Sequence, residues 1–425
     1  MTSTSVDPTR PSRRTMVRFV AWVLAILTSC WAAAGLLAAP VLPGRGWTAA
    51  AAWLLLTLAP LGLFIGMRAR GAYPGALVRV LVFRPMWYAQ LFVLLLAPVG
   101  VAAAVVGLAF GVAGSAARAA LAVGAALLLL AALAGYAGSR RLRVRRLLVT
   151  LPELPAAAEG LVVAQISDLH VGPHTSRRFL ARVADAVRAA RPELIAVTGD
   201  LVDDFPPDAA HYAAALGSLE APLGVFAIPG NHEVYSGWSE LRPRLEALPL
   251  TLLVNRSVRL ARNGGGFSLA GTGDPAASGE LAPDLARTLA EVRAGEFVLV
   301  LAHNPALWPA LARRGAPLTL SGHTHWGQLG FERWGWCLAS PFLELAMGAH
   351  ARDGSLLYIH PGTNYWGIPF RLGHAAEVTV LTLRRGENSE IREETADELR
   401  DGELRVVPRS EMRGKRFSRD ESATK

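Results

Sequence analysis

The chain has 425 residues, enough for two or three domains, and 52% of them are hydrophobic. Its net charge of +9 is uneven: residues 1–150 hold fifteen arginines, one acid and no lysine, a net +14, which leaves −5 for residues 151–425. A nucleic-acid-binding domain would carry the positive excess itself, whereas here the arginines flank apolar runs, so we expect a membrane protein and no nucleic-acid partner.

Four apolar runs without charged residues predict membrane-spanning helices. Each is close to the ~20 residues that a helix needs to cross ~30 Å of hydrocarbon. They are Phe19–Ala39, Trp47–Met67, Trp87–Leu108 and Ala119–Ala137. Four such runs in succession disfavour the alternative that they are buried core helices of a soluble protein. Because they contain no acid, lysine or histidine, we expect an anchor rather than a transporter.

The arginines predict the orientation of these spans. Counted from the N-terminal tail through the three loops to the segment after the last span, the arginine numbers alternate 4, 1, 4, 1 and 5. By the positive-inside rule, the tail (1–18), the second loop and everything after the membrane region (19–138) are expected to be cytoplasmic. The chain is then a multi-pass protein of the cell (inner) membrane. An alternative is that Ser12–Arg18 is a twin-arginine export signal. Removal of the first span after export would, however, leave an odd number of spans and upset this topology.

The sequence after the membrane region predicts a basic linker (139–160), an α/β domain (161–383) and a charged, disordered tail (384–425). Short apolar runs alternate with amphipathic stretches, as in Leu161–Ser167, Arg177–Ala190 and Leu194–Thr198. Such alternation is typical of sheets covered by helices. Cys30 and Cys337 lie far apart in the sequence, so no disulfide framework is available.

Five predicted strands in succession are followed by side chains that bind metals. Ligands collect at the carboxyl ends of strands in α/β sheets, so we expect these groups to converge. They are Asp168 and His170, Asp200, Asn231 with His232, His303, and His323 with His325. Carboxylate, amide and imidazole ligands without thiolates suit Mn, Fe, Zn or similar divalent ions. Their number is too large for one tetrahedral ion and suits two ions that share a bridging carboxylate.

These blocks, in this order, resemble the calcineurin-like metallophosphoesterase superfamily over residues 161–383. The apolar spans, Ser167–Gly172 and Gly362–Gly367 are also similar to its membrane-associated (transmembrane metallophosphoesterase) branch. The resemblance implies an α/β/β/α sandwich after the four-helix membrane region, with two divalent metal ions. It implies that Asp168, His170 and His325 bind one ion, that Asn231, His303 and His323 bind the other, and that Asp200 bridges both. It implies that His232 stays off the metals and acts at the leaving-group oxygen or the phosphoryl group.

The function that this resemblance implies is hydrolysis of a phosphodiester or pyrophosphate bond by a metal-bridging hydroxide. Tethering to a membrane suggests a lipid-linked phosphate substrate. The alternatives are a phosphomonoesterase or broad phosphodiesterase acting on soluble substrates, and a non-catalytic membrane sensor or scaffold. An apolar groove beside the metals would favour the lipid-linked substrate. Candidates to line such a groove, or to be ordinary core, are Pro341–Met347, Tyr365 and Trp366. The sequence does not set the oligomeric state.

Outside these blocks, histidines and acids are expected to be structural. Four histidines are expected not to bind metal: His174, His211, His350 and His374. For His360, which ends a predicted strand, the non-ligand interpretation is also favoured. Asp203 and Asp204 are expected to cap the segment after Asp200. Gly264–Gly266 predicts a hairpin turn rather than a phosphate loop, because no helix start follows it.

Overall fold

The computed structural model describes residues 13–38 and 46–394 and separates into two compact units. The helical unit contains the described residues up to Ala137 together with the short segment Gly367–Phe370. The sheet unit contains Gly138–Trp366 and the described residues from Arg371 onward. The predicted disordered tail lies largely outside the described residues, because the description ends at Glu394.

The helical unit has four helices, and three of them are long and apolar enough to cross a membrane. Helix α1 is Arg13–Ala38, and its described apolar part, Ala21–Leu37, is shorter than the other three. The spanning candidates are Trp47–Met67 in α2, Ala76–Leu108 in α3 and Ala113–Ser139 in α4. Helix α2 comprises Gly46–Trp53, a π-helical turn Leu54–Leu58, and Ala59–Ala69, and α3 comprises Ala76–Val78, a π-helical turn Arg79–Phe83, and Arg84–Leu108. Three candidate spans are therefore found, and a fourth stays a prediction.

Helices α3 and α4 begin before the apolar runs that predicted them. Arg79 lies inside α3 rather than in the preceding loop, and its Nε donates to the carbonyl of Pro74 at 3.0 Å. Inside α3, Gln90 is buried and joins three helices, since its amide donates to the carbonyl of Leu56 at 2.7 Å and accepts from Trp31 Nε1 at 3.1 Å. A satisfied polar group of this kind fixes how apolar helices pack, because the hydrophobic effect cannot do so within lipid.

The segment Gly367–Phe370 is part of the helical unit although it follows Trp366 in the chain. Tyr88 of α3 donates its hydroxyl to the carbonyl of Pro369 at 3.3 Å. The Phe370 ring lies so close to Gly135 of α4 that a Cβ there would overlap it. The chain therefore contributes four residues to the helical unit more than two hundred residues after α4 ends.

The sheet unit contains two mixed sheets and a two-stranded hairpin. The first sheet has the order β15-β1-β14-β2-β3-β4-β5 and the second has the order β12-β13-β9-β8-β7-β6, while β10 and β11 pair alone. The strands are β1 Leu142–Leu151, β2 Val162–Ile166, β3 Leu194–Val197, β4 Val225–Ala227, β5 Thr251–Leu252, β6 Arg256–Arg262, β7 Gly265–Gly271, β8 Val298–Leu301, β9 Leu318–Ser321, β10 Gly330–Phe331, β11 Trp336–Cys337, β12 Gly348–Arg352, β13 Ser355–Ile359, β14 Ala376–Arg385 and β15 Glu390–Glu393. The tight turn between β6 and β7 confirms the predicted hairpin at Gly264–Gly266.

The two sheets pack face to face with helices on both outer faces, which confirms the predicted α/β/β/α sandwich. Strand β3 shows why: Leu194 and Ala196 enter the core between the sheets, whereas Ile195 and Val197 enter the core under the helices, since alternate side chains face opposite ways. The outer helices are α5 Arg177–Ala190, α6 Ala209–Leu216, α7 Asn231–Ser236, α8 Trp238–Glu246, α9 Leu285–Leu289 and α10 Trp308–Ala312.

Strand β1 corrects the prediction of a basic linker at residues 139–160. It pairs in parallel with all ten residues of β14 and belongs to the first sheet. Its arginines hide it from sequence analysis, but Arg145 is half-buried between the carboxylates of Glu332 and Glu393. The predicted tail is corrected in the same way, since β14 extends to Arg385 and β15 pairs with β1.

Candidate metal centre

The predicted ligands follow the carboxyl ends of β2, β3, β4, β8 and β9, and several have unusual backbone geometry. Five of them have positive φ, a conformation that L-residues rarely adopt. The values are 53° at Asp168, 40° at His170, 52° at Asp200, 74° at His323 and 47° at His325. Such strain is concentrated where side chains are aimed at a site rather than where they only stabilise a fold.

Asp168, His170 and His325 form one compact group with ligand atoms within 4.8 Å of one another. The Nε2 atoms of His170 and His325 face each other at 2.9 Å, and His325 Nε2 lies 3.4 Å from Asp168 Oδ1. All three side chains are buried. The structure therefore brings together the three residues predicted for the first metal.

Asn231, His303 and His323 form the second predicted group. The Asn231 side-chain oxygen lies 3.1 Å from His303 Nε2 and 2.8 Å from His323 Nδ1. His303 is oriented by its other nitrogen, because Nδ1 lies 2.8 Å from the carbonyl of Thr198. A fixed ring of this kind presents Nε2 to the site.

Asp200 lies between the two groups, as expected of a bridging carboxylate. Its Oδ2 is 3.6 Å from His170 Nε2 on one side and 3.3 Å from His303 Nε2 on the other. Asp168, Asp200 and His303 also have ligand atoms within 4.8 Å of one another. The two groups are therefore one continuous cluster.

Two glycines let the backbone come this close. A Cβ at Gly230 would overlap Asp200 Oδ1 and His303 Nε2, and a Cβ at Gly322 would overlap Ser167 Oγ and Asp168 Oδ2. The glycines before Asn231 and His323 in the sequence blocks are thus required by the packing of the cluster itself.

The chemistry of the cluster fits bound cations. Asp168 Oδ2 is buried without a hydrogen-bond partner, and in the described part of the chain the ion-pair partners of Asp168 and Asp200 are histidines only. Burial lowers the pKa of His170 to about 3 and, with His303 nearby, that of His323 to about 4, so these rings are neutral and have a lone pair to give. Buried and rich in acceptor atoms, the cluster is suited to divalent metal ions.

His232 lies beside the cluster, with its ring centroid 4.5 Å from that of His170. Its backbone N–H donates to Asp200 Oδ1 at 2.9 Å, and its Nδ1 contacts the carbonyl of Asp203 and lies 3.3 Å from Asp204 Oδ1. Burial alone would lower the pKa of His232, but Asp200 and Asp204 raise it to about 10. His232 also falls within 4.8 Å of ligand atoms of His170 and Asp200.

The acids after Asp200 contact this histidine, which sequence analysis did not anticipate. Asp203 and Asp204 were expected to cap the next segment. Instead the Asp203 carbonyl and the Asp204 carboxylate both face His232 Nδ1. They hold the ring with Nδ1 away from the cluster.

Glu233 ties two of the ligand loops together and was missed as a functional residue. Its side chain is fully buried and accepts four backbone N–H groups. Oε2 accepts from Asp200 at 3.0 Å and Gly230 at 2.7 Å, and Oε1 accepts from Leu201 at 2.9 Å and Val202 at 3.2 Å. A signal was present in the sequence, because Glu233 directly follows His232.

A second support lies behind the loop of Asp168 and His170. Thr363 exchanges hydrogen bonds with the backbone of Ser167, and Asn364 Nδ2 donates to the carbonyl of Leu169 at 2.8 Å. Arg371, which is 1% exposed, in turn donates to the carbonyls of Pro361 and Asn364. Sequence analysis assigned Arg371 no role, because no sequence pattern marks its contacts with the carbonyls 10 and 7 residues before it.

The remaining histidines do not join the cluster. Within the described residues, the groups able to hold a metal omit His174, His211, His350, His360 and His374. His360 Nδ1 accepts from the N–H of Gly362 at 2.9 Å.

The candidate groove residues behave differently from one another. Phe342 and Leu343 are exposed, whereas Ala346 and Met347 enter a small core with Trp326 and Cys337. Trp366 is 44% exposed, and its ring centroid lies 5.9 Å from that of His232. Trp366 is therefore at the edge of the site, and only part of the stretch is ordinary core.

The chain is similar to several known proteins. Residues 161–327 match the model of the family described as calcineurin-like phosphoesterase. An uncharacterised metallophosphoesterase of Campylobacter jejuni is 29% identical over 243 residues, 55% of this chain and 61% of that protein. A transmembrane protein with metallophosphoesterase domain from Bos taurus is 33% identical over 253 residues, 56% of each chain. Among solved structures, TT1561 of Thermus thermophilus aligns with a TM-score of 0.33 at 14% identity, over 48% of this chain and 89% of that one. The chain spans less than two thirds of the length of these two curated relatives.

Proposed function

We propose, from the premise that residues 161–327 are a calcineurin-like phosphoesterase domain, that this protein is a membrane-anchored hydrolase of phosphodiester or pyrophosphate bonds. The observation that carries the proposal is the buried cluster around Asp200, in which carboxylate, amide and imidazole acceptors converge from five strand ends. Buried acceptors of this kind are costly unless a cation neutralises them.

We assign two divalent ions to the cluster. Asp168, His170 and His325 would hold one, and Asn231, His303 and His323 would hold the other. Asp200, which lies between the two groups, would be shared. When bound, such ions supply Lewis acidity toward phosphoryl oxygens and lower the pKa of a water that serves as nucleophile.

The chain's own residues then position the substrate and handle its charge. His232 is held by Asp203 and Asp204 through Nδ1, so Nε2 is the nitrogen left to face a phosphoryl or leaving-group oxygen. The Asp204 carboxylate raises the pKa of His232 and so favours its protonated ring, which suits donation of a proton or a hydrogen bond to a developing negative charge. The left-handed backbone at five ligands fixes their directions before substrate arrives.

A lipid-linked phosphate is the substrate class that we favour. Three helices long and apolar enough to span a bilayer belong to the same chain, so the site remains close to a membrane. Trp366, and Tyr235, whose ring centroid is 5.7 Å from that of His232, add half-exposed aromatic surface at the edge of the site. We place the domain on the cytoplasmic side of the membrane, as the arginine distribution predicts.

The principal experiment measures hydrolysis of a bis-aryl phosphate by the purified full chain, stripped of metal and then given Mn²⁺. Asp200→Asn removes the central carboxylate charge, and Asp353→Asn, at an exposed turn, is the matched control. We expect turnover that depends on metal, is abolished by Asp200→Asn and is unchanged by Asp353→Asn. Equal turnover in both variants, or turnover that ignores metal, would refute the proposal.

A broad phosphodiesterase or phosphomonoesterase for soluble substrates is the second candidate, and it is distinguished by substrate preference. Comparable rates on water-soluble and on lipid-embedded phosphates would favour it. Stoichiometric metal binding without hydrolysis of any phosphate ester would instead favour a sensor or scaffold.

A further inference from the structure

The sheet unit presents an apolar stretch to its surroundings, and the large side chains of this stretch belong neither to the core nor to the metal cluster. Residues 334–343 contain no charged side chain. Five large apolar residues in this stretch are exposed: Trp334 at 69%, Trp336 at 38%, Leu338 at 43%, Phe342 at 82% and Leu343 at 41%. Single exposed apolar residues are ordinary, but a cluster of five within ten residues marks an interaction surface.

We call residues 334–343 the apolar hairpin, and its backbone is well anchored. Strand β11 pairs with β10, Leu338 N–H donates to the carbonyl of Leu329 at 2.8 Å, and Cys337 N–H donates to Ser340 Oγ at 3.0 Å. A disordered loop would not hold these bonds. The exposed side chains are therefore displayed by a fixed scaffold.

The direction of the side chains shows that the core beneath the hairpin is already complete. Trp336 and Leu338 are exposed, while Cys337 between them is fully buried with Trp326, Ala346 and Met347. Alternate residues of a strand face opposite sides, so within β11 Cys337 faces the core while Trp336 faces away from it, and Leu338 just after the strand is exposed. An outward face usually carries polar residues. Here it carries tryptophan and leucine, which indicates an external apolar partner.

We propose that the apolar hairpin docks on the interfacial region of the lipid bilayer. The chain contains three helices long and apolar enough to span a membrane, so a bilayer is always within its reach. Tryptophan is enriched at the membrane interface, where its ring is apolar and its N–H is wet, and clustered Trp, Phe and Leu are the usual residues of shallow insertion. Arg333, which is exposed immediately before the apolar hairpin, has the charge that lipid phosphates attract.

Two residues before the apolar hairpin, Gln328 and Leu329, are bonded to Trp366 and Leu372, which lie on either side of Gly367–Phe370 in the sequence. Gln328 exchanges two hydrogen bonds with the backbone of Trp366, at 2.9 and 3.1 Å, and Leu329 forms a bridge with Leu372. Between them in the chain, Gly367–Phe370 packs in the helical unit. The same Trp366 contacts His232.

The test is the depth of a spin label in the full chain, reconstituted in phosphatidylcholine–phosphatidylglycerol vesicles. Phe342→Cys is labelled in a Cys30→Ser background, since Cys337 is buried, and Ala294→Cys, exposed elsewhere on the sheet unit, is the matched control. We expect the label at 342 to collide more with oxygen than with a water-soluble nickel complex, and the control to show the reverse. Equal, water-like profiles would overturn the proposal. Shielding of position 342 from both reagents would also overturn it, because a protein or a second copy would then cover the hairpin.

A measurement without substitutions guards against failure of the labelled variants. Hydroxyl-radical footprinting of the unmodified chain compares oxidation of Trp334 and Phe342 in vesicles, with Tyr235, 43% exposed, as the wet reference and Tyr358, 1% exposed, as the buried one. Bilayer docking predicts oxidation severalfold below that of Tyr235. Oxidation above that of Tyr235, as their greater exposure requires in water, would contradict docking. Neither readout depends on activity, so the outcome is independent of the proposed hydrolysis.

Discussion

Replacing Glu233 with glutamine tests whether one buried carboxylate holds the ligand loops in place. Its two oxygens accept four N–H groups, two each. Glutamine has one acceptor oxygen, so two of those donors would face an NH₂ group and lose their partners. A buried unsatisfied donor costs about 1–3 kcal/mol, so Glu233→Gln should destabilise the sheet unit by about 2–6 kcal/mol.

The assay is thermal unfolding of the detergent-solubilised full chain. For a domain of this size 1 kcal/mol corresponds to a Tm shift of about 2–4 °C, so we expect a decrease of at least about 4 °C. Glu220→Gln, at an exposed position, is the matched control and should leave Tm unchanged. Because Asp200 is one of the residues bound to Glu233, metal affinity should also fall by about ten- to hundredfold, as for other supports of metal ligands. A Tm within about 2 °C of the control, with unchanged metal affinity, would refute this role of Glu233.

Three further predictions concern the site and its orientation. His232→Ala should keep both metals and lose about 10²–10⁴-fold in turnover, measured with metal content on the same sample; loss of metal would make His232 a ligand. Asn364→Ala removes the 2.8 Å bond to Leu169 and should weaken metal binding about tenfold in a competition titration with a chelator, whereas unchanged affinity would show that this segment does not support the ligands. Ala72→Cys, between α2 and α3, should be shielded from an impermeant thiol reagent outside intact cells while Val112→Cys is labelled, and the reverse pattern would invert the topology.

The elements that carry the cluster were predictable from sequence because their signals are local. The strands before Asp168 and Asp200 are short apolar runs, and their polar ends stand immediately after them. Helix α5 was predicted with its observed bounds, Arg177–Ala190, because its apolar residues recur at helical spacing.

What the sequence did not predict depends on distant partners. Strand β1 contains Arg143 and Arg145, which local analysis assigns to a linker, but Glu332 and Glu393 neutralise them from 187 or more residues away. Arg371 is a different case, since its carbonyl partners lie only 10 and 7 residues away, but no sequence pattern marks these contacts. The apolar hairpin was also hidden, since nothing in its sequence separates exposed tryptophans from buried ones.

The count of divalent ions bound to the purified full chain tests the central claim most directly. The chain is stripped with a chelator, reloaded with Mn²⁺, and measured by elemental analysis beside Asp200→Asn and the surface control Asp353→Asn. The account predicts two ions per chain in the unmodified protein and the control, and fewer in Asp200→Asn. No bound ion in the unmodified protein, or the same number in Asp200→Asn, would contradict it.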